Sequence, residues 1–442
     1  MSTPYPLEVI LTPNKPALAE TGTQPLQVLV RLRPQPNPNQ VRTPISLAIV
    51  IDRSGSMSGG KLRAAVDCTR DLIGRLHDED EVSIIIYDDD VDVLLPLSSV
   101  QTVRGVITRL LANVRTGGST NLHGGWLAGA EQIAPRADAN RICRVMLLSD
   151  GQANQGLVSP QGICAQVSQL ARTGVTTSTV GIGLGFNEEL MTEMATAGQG
   201  TAMYGDRAAD LAEPFEAELG LLAHTVWRNV TLTMQSPAQR WTMHNDYPSR
   251  GRNAWRMVSI AANSEAWMAL SVPMHEALDG QLQDETEALL RVTVKATDAA
   301  GVEHTFSASL GPLPVVSGQA WREMPSDERV AGRFNEIEAA DLQRLAREAV
   351  RHRDWHAVER MLDELRDRAQ DNPWLQATVG VLTNLLNNRD HERMEKELMF
   401  SSSRMKSRLS EVDEGQFQSM QEEITKPAWL RRKENQGRGS GL

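Results

Sequence analysis

The segment Ile45–Ser56, which reads ISLAIVIDRSGS, constrains the fold more than any other part of the chain. A mostly apolar run of this length, ending at a Gly- and Ser-rich loop, is typical of a strand buried in a parallel sheet. The loop carries side-chain oxygens at alternate positions, on Asp52, Ser54 and Ser56. Converging hard oxygens are what Mg²⁺ requires, so the segment predicts a metal site at the carboxyl end of a central strand.

Two further segments bring oxygen-bearing side chains to the same predicted edge. Thr120 precedes a predicted helix, and Asp150 follows the apolar strand 142–148. In doubly wound sheets, ligands bind beyond the carboxyl ends of the strands where the strand order reverses, and both segments can reach that crevice. The loop after Ile51 alone is also typical of a capped turn before a helix. Because Thr120 and Asp150 are predicted at the same edge of the sheet, the pattern favours a metal site over a capped turn.

Between residues 44 and 225, short apolar strands alternate with amphipathic helices. The elements predicted after the first strand are a helix near 60–77, a hairpin over 82–95, helices over 103–111 and 122–133, a strand over 142–148, a helix near 157–173, a strand over 175–180, and helices near 187–197 and 207–223. This alternation predicts an α/β fold with a doubly wound, mostly parallel sheet covered by helices on both faces.

The regions on either side of this unit have β character, as in Leu7–Leu11, Leu26–Leu32 and residues 266–272. Neither flank is large enough to bury a good core alone, so we expect the α/β unit to be inserted in one β-sandwich. The assigned boundaries are 1–43 for the N-terminal strands, 44–225 for the α/β domain and 226–318 for the rest of the sandwich.

From about residue 325 the chain is helical and highly charged. The first apolar stripe comprises Leu342, Leu345, Ala346, Ala349 and Val350; others follow over 355–365 and 374–386. The break at 351–354 predicts antiparallel helices, so we assign 325–410 to a helical domain and 411–442 to a flexible tail.

Composition argues against several classes of function. The net charge of −11 disfavours general binding to nucleic acid or to anionic membranes. The three cysteines, Cys68, Cys143 and Cys164, contain no CxxC pair and are interpreted as free thiols in a reducing compartment. Residues 1–6 lack signal-peptide features, and no apolar run approaches the ~20 residues of a membrane helix. We therefore expect a soluble, cytoplasmic protein.

The order Asp-x-Ser-x-Ser, Thr, Asp-Gly, at residues 52–56, 120 and 150–151, resembles the von Willebrand factor type A (VWA) family and its metal ion-dependent adhesion site. The resemblance covers about residues 44–225, includes the run 179–183, and implies a Rossmann-like sheet. The chain also resembles bacterial multi-domain members, and its flanks resemble those of inter-alpha-trypsin inhibitor heavy chains.

Carried over by position, the resemblance implies that Ser54 and Ser56 bind Mg²⁺ or Mn²⁺ directly and that Thr120 binds directly or through water. It implies that Asp52 and Asp150 hold metal-bound waters and balance the charge. A cation with mostly neutral ligands stays electron-poor, so its open position favours a Glu or Asp of a partner protein. The implied function is a non-enzymatic, metal-dependent protein-interaction scaffold. A MoxR-type ATPase or a kinase–phosphatase system is the partner implied by bacterial relatives.

Two other functions stay open. A hydrolase would use the same cation to cleave phosphate or other esters, but the sequence offers no convincing base for it. His123, with Ser54 and Asp150, could separately be drawn as a hydrolase triad. No G-x-S-x-G nucleophile elbow surrounds Ser54, which disfavours this hypothesis. In the second alternative, the protein is a structural subunit and the cation only stabilises its fold.

The acidic segment Asp88–Asp92, in the turn of the predicted hairpin, could suggest a calcium-binding loop. An EF-hand would require Gly at position 93 and Glu at position 99, where the chain has Val93 and Ser99. We interpret the segment as a solvated turn. Arg53, inside the Asp-x-Ser-x-Ser motif, is interpreted as a cation able to engage an acidic ligand.

Overall fold

A computed structural model describes residues 6–35, 42–137, 141–183, 185–205, 208–262, 264–283, 288–370, 372–406 and 409–411. Residues 1–5 and nearly all of the predicted tail over 411–442 lie outside this set. The chain divides into two compact units, one of residues 39–225 with 299–301 and one of residues 1–38, 226–298 and 302–442.

The chain begins with three strands of the second unit, before it enters the α/β unit. They are β1 (Leu7–Pro13), β2 (Leu18–Ala19) and β3 (Leu26–Pro34). The α/β unit then contains β4 (Ile45–Asp52), α1 (Lys61–Arg75), β5 (Glu81–Tyr87), β6 (Val91–Ser99), α2 (Val100–Val103), α3 (Ile107–Leu111), α4 (Leu122–Ile133), β7 (Ile142–Ser149), α5 (Pro160–Arg172), β8 (Val175–Ile182), α6 (Glu188–Ala197), β9 (Gln199–Gly205) and α7 (Ala208–Ala223).

One six-stranded sheet, in the order β6-β5-β4-β7-β8-β9, organises the α/β unit. All neighbours are parallel except β5 and β6, which form the predicted hairpin. On one face of β4, Ile49 and Ile51 share a core with α1 and α7. On the other face, Val50 lies against Gly129 of α4. These two covered faces confirm the predicted doubly wound, mostly parallel fold.

The structure departs from the predicted elements at two places in this unit. Strand β9, an edge strand that pairs with β8, was not predicted. Its sequence contains Gly200 and Gly205, and glycine weakens a strand pattern. The predicted helix over 103–111 is two short helices, α2 and α3, with Gly105 between them. Glycine lowers helix propensity by about 1 kcal/mol relative to alanine, which favours a break there.

The rest of the second unit follows residue 225. Its elements are β10 (Thr225–Gln235), β11 (Thr242–Met243), β12 (Ser249–Gly251), β13 (Ala254–Arg256), β14 (Ile260–Ala261), β15 (Ser264–Val272), α8 (Met274–Gln283), β16 (Leu290–Thr297), β17 (Glu303–Leu310), β18 (Val315–Val316), α9 (Gly318–Glu323), α10 (Glu328–Arg351), α11 (Trp355–Arg368), α12 (Pro373–Asn387), α13 (His391–Lys406) and β19 (Leu409–Glu411).

Strands from before and after the α/β unit share a sheet. Strand β3 pairs antiparallel with β15, from Leu26 opposite Val272 to Leu32 opposite Ala266. This sheet has the order β1-β3-β15-β11, with β19 also on β15, and a second sheet has the order β12-β13-β10-β16-β17, with β14 on β10. The α/β unit is therefore inserted between two strands that are neighbours in space.

The C-terminal helices build a core of their own and also cover a sheet. The α10–α13 core includes Val358 and Leu382, while Phe334 of α10 packs against Leu29 and Trp267 of the sheet. The second unit thus contains both the β sheets and the helical region.

The predicted first apolar stripe of the helical region is wrong at Leu345, which is 56% exposed. Every helix among the described residues is too short or too polar to cross a membrane.

The three cysteines provide a test of this packing. Cys68 and Cys143 are buried, Cys164 is half-buried, and none of the three forms a disulfide. Burial raises the pKa of Cys68 to about 12 and that of Cys164 to about 11, so few thiolates are present at pH 8. We expect Ellman's reagent to react slowly with the folded protein and rapidly with all three thiols in guanidinium chloride. Rapid stoichiometric labelling of the folded chain would contradict this arrangement.

Candidate functional site

The predicted site lies where the strand order of the α/β sheet reverses. Strand β4 pairs with β5 on one side and with β7 on the other, and the chain leaves both β4 and β7 at the same edge. Asp52 is the last residue of β4, and Asp150 directly follows β7. The parallel register thus brings these two buried carboxylates to one crevice, as the sequence predicts.

The Asp52 carboxylate is held by two protein donors. Its Oδ1 accepts a hydrogen bond from the backbone N–H of Ser54 at 2.8 Å, and its Oδ2 accepts one from the Ser149 hydroxyl at 2.6 Å. Burial raises the pKa of Asp52, because desolvation disfavours the anion, while the hydrogen bonds from Ser149 and Ser54 oppose this effect. Asp52 therefore fixes the start of the loop that carries the Ser54 and Ser56 hydroxyls.

The two serines of the loop lie side by side. The Ser54 and Ser56 hydroxyl oxygens are 3.0 Å apart, with Ser54 buried and Ser56 exposed. The intervening Gly55 donates its backbone N–H to the carbonyl of Gly118 at 2.8 Å, which joins this loop to the loop that carries Thr120. Alternate positions of a tight loop thus present two neutral oxygens on one side.

Thr120 is anchored by a residue that sequence reasoning missed. The backbone N–H of Thr120 donates to Asn154 Oδ1 at 2.8 Å, and the Asn154 N–H donates to the Thr120 carbonyl at 3.2 Å. Asn154 lies four residues beyond Asp150, so it ties the Thr120 loop to the loop after β7. The three loops are therefore linked by hydrogen bonds, although the motif pattern contains no signal for Asn154.

The two oxygens of Asp150 have different surroundings. Oδ2 pairs with the Lys61 ammonium at 3.2 Å, whereas Oδ1 is buried and has no hydrogen-bond partner among the described residues. The next residue, Gly151, has a φ of +72°, and a Cβ there would lie 3.0 Å from the Asn187 nitrogen. Only glycine adopts this turn without strain, which fixes the direction of the Asp150 side chain.

This donor set suits a hard divalent cation. A buried carboxylate oxygen without a partner among the described residues, at the same sheet edge as the Ser54–Ser56 hydroxyl pair, is a group that Mg²⁺ or a Mg²⁺-bound water could satisfy. The described residues contain no group of three or more His, Cys, Asp or Glu side chains able to hold a metal. A site built mostly from hydroxyl oxygens, as the motif predicts, would not be of that kind.

Comparison with known proteins identifies the α/β unit. The sequence profile of the von Willebrand factor type A domain matches residues 46–217. Those residues form a VWA domain. The solved structure of a von Willebrand factor type A protein from Catenulispora acidiphila has a TM-score of 0.65 and 18% identity, over 90% of each chain. The ArnB paralog VWA2 from Sulfolobus acidocaldarius has a TM-score of 0.58 and 18% identity, over 90% of this chain and 99% of its own. The shared fold therefore extends beyond the VWA domain.

Sequence relatives match shorter spans of this chain. The uncharacterized protein YfbK of Escherichia coli (strain K12) is 29% identical over 187 residues, which are 42% of this chain and 32% of YfbK. The human inter-alpha-trypsin inhibitor heavy chain H3 is 28% identical over 178 residues, which are 38% of this chain and 20% of the heavy chain. This chain thus spans about a third of the length of YfbK and about a fifth of the length of the heavy chain.

Arg53 of the VWA domain has partners within the chain. Its Nη2 lies 3.2 Å from Asp88 Oδ1 and 2.9 Å from Asp92 Oδ2. Two carboxylates of the same chain therefore already pair with the Arg53 guanidinium. An acidic ligand that engaged Arg53, as the sequence analysis suggests, would have to compete with them.

The acidic turn supports the Thr120 loop, which the sequence did not indicate. Asp88 is only 8% exposed, so the prediction of a fully solvated turn is wrong there. Asp89 Oδ1 accepts the Ser119 N–H at 2.8 Å. A Cβ at Gly117 would lie 1.7 Å from Asp88 Oδ2, so the absence of a side chain allows the turn and the loop to approach. The carboxylates of this turn help to position the loop before α4.

The contacts of Asp88 predict an asymmetric effect of two neighbouring substitutions. We expect Asp88→Ala to lower the free energy of unfolding by about 1–3 kcal/mol, because it removes the partner of Arg53 and of the Asp90 N–H. The control is Asp90→Ala, at an exposed position of the same turn. It should change the free energy of unfolding by less than about 0.5 kcal/mol. Urea unfolding measures both, and equal losses would contradict a supporting role for Asp88.

Proposed function

We propose that this protein is a non-enzymatic interaction scaffold whose VWA domain binds an acidic residue of a partner protein through Mg²⁺ or Mn²⁺. One observation carries the proposal: the unpartnered, buried Oδ1 of Asp150 belongs to the same edge as the Ser54 and Ser56 hydroxyls. Asp150 Oδ1 has no hydrogen-bond partner among the described residues, and a divalent cation or its bound water would satisfy it.

The residues of the chain would have different roles at such a site. Ser54, Ser56 and Thr120 would hold the cation with neutral oxygens, and Asp150 would hold it through a bound water. Asp52 already uses both oxygens on Ser54 and Ser149, so its part is to position the loop. The cation would supply a positive centre that attracts a carboxylate. Since most of its ligands are neutral, a partner's Glu or Asp would find that charge largely uncompensated.

The identity of the partner is a further part of the proposal. A MoxR-type ATPase or a kinase–phosphatase system is the candidate suggested by the resemblance to bacterial VWA proteins, and YfbK is a bacterial relative. We also propose that the protein acts in the cytoplasm, because Cys68, Cys143 and Cys164 form no disulfide, as expected in a reducing compartment.

The hydrolase hypothesis gains no support from the contacts of its candidate base. His123 Nε2 lies 2.8 Å from Gln166 Oε1, and the Ser54 hydroxyl lies beside Ser56. Neither contact joins a nucleophile to a base, which is the arrangement that general-base catalysis requires. We therefore favour binding over hydrolysis.

Removal of one hydroxyl tests the cation. We expect 5 mM Mg²⁺ to raise the melting temperature of the wild-type chain relative to EDTA, because a ligand that binds only the folded state stabilises it. Ser54→Ala should abolish this increase, whereas Ser58→Ala, at an exposed serine of the same loop, should retain it. Thermal unfolding followed by circular dichroism measures the shift. The same increase in all three chains would place the cation elsewhere.

Partner capture tests the interaction itself. With the chain immobilised, we expect a bound protein from the native lysate to be retained in Mg²⁺ and released by EDTA. The Ser58→Ala chain should retain the same protein, and the Ser54→Ala chain should not. A partner that binds equally in EDTA and to Ser54→Ala would refute metal-dependent recognition.

A further inference from the structure

Lys61 is a charged residue of the site that neither the motif nor the proposed function includes. It is the first residue of α1, and its Nζ lies 3.2 Å from Asp150 Oδ2. The Lys61 side chain is 28% exposed and the Asp150 side chain is fully buried. The ion pair thus lies at the boundary of the crevice, where water screens it less than it would on an open surface.

The position of Lys61 on its helix is unfavourable without Asp150. The first turn of α1 has no acidic residue, and Gly60 before it has no side chain to cap the helix. An ammonium at a helix N-terminus faces the positive end of the helix dipole, which is electrostatically unfavourable. The contact with the Asp150 carboxylate offsets this cost, so the pairing explains why a lysine is tolerated there.

The lysine stem follows an enclosed course. A Cβ at Gly183, which has a φ of +79°, would lie 3.0 Å from Lys61 Cε and 3.4 Å from its Cδ. The methylene groups therefore pass directly over the backbone that follows β8. This contact holds the ammonium near Asp150 and limits the number of conformations in which Lys61 reaches bulk water.

Lys61 and a divalent cation would share a single carboxylate. Asp150 Oδ2 is occupied by the ammonium, and only Oδ1 is left for the cation or its water. Asp52 and Asp150 together carry the charge that balances a divalent cation, and the ammonium already neutralises part of it. The two cations also repel each other across the few ångströms of one carboxylate group.

We propose that Lys61 is a positioning residue that acts through Asp150: it neutralises Asp150 in the metal-free domain and weakens the binding of the divalent cation. This inference rests on the proposed function, since it requires a cation at the site. The pair Lys61–Asp150 then sets the concentration of Mg²⁺ at which the site fills, and it keeps the empty site folded.

The proposal predicts opposite effects on two measured quantities. In EDTA, Lys61→Met should lower the melting temperature, because Asp150 stays buried without its partner. In calorimetric titration with MgCl₂, the same variant should bind Mg²⁺ about tenfold more tightly than the wild type, because a competing charge is gone. A residue with a merely structural role would give the first effect without the second.

Three controls use the full-length chain. Lys61→Arg keeps the charge and should bind Mg²⁺ with an affinity close to that of the wild type. Arg63→Met removes a positive charge from the same helix at an 88% exposed side chain and should change the affinity less than about twofold. Lys61→Gln replaces the methionine variant if that chain does not fold.

The outcomes separate the two proposals. If the wild type binds Mg²⁺ and Lys61→Met binds it equally or more weakly, the inference about Lys61 is refuted and the metal site stands. If neither the wild type nor Lys61→Met binds Mg²⁺, both proposals fail. If Lys61→Met binds Mg²⁺ more tightly and melts lower in EDTA, while Arg63→Met matches the wild type, the role of Lys61 is supported.

Discussion

The geometry of the site depends on how the Asp52 carboxylate is satisfied inside the protein. A buried anion is costly unless donors surround it, and here Ser149 from β7 and the backbone of Ser54 supply them. The bond to Ser149 joins two adjacent strands at their carboxyl ends, and the bond to Ser54 bends the loop back over β4. Asp52 thus fixes the loop in which the Ser54 and Ser56 hydroxyls lie 3.0 Å apart.

Local periodicity was enough to predict the elements that carry the site. Helix α4, predicted over residues 122–133, spans Leu122–Ile133, and the buried run that ends at Asp52 forms β4. These segments are strongly apolar on the faces that pack, so their patterns are clear in a single sequence. The reversal of strand order then follows from the alternation of strands and helices, and it is what brings Asp52 and Asp150 to one edge.

Other features depend on residues far apart in the sequence and could not be predicted from it. Lys61 meets Asp150 across 89 positions, and Asn154 meets Thr120 across 34. No spacing rule links such pairs, because the tertiary fold alone decides which loops adjoin. Leu345 is an error of a different kind. Its helical periodicity predicts a buried residue, but it lies on an exposed face of α10.

The pairing of β3 with β15 has a consequence for the way the chain folds as it is synthesised. The VWA domain is essentially one continuous stretch and can form as soon as it leaves the ribosome. Strand β3 leaves the ribosome earlier but finds its neighbour only after residue 272 has appeared, so one of its edges stays unpaired during that time. The insertion therefore makes the flanking sheet slow to complete, and a chain truncated before β15 would expose an apolar edge prone to aggregation.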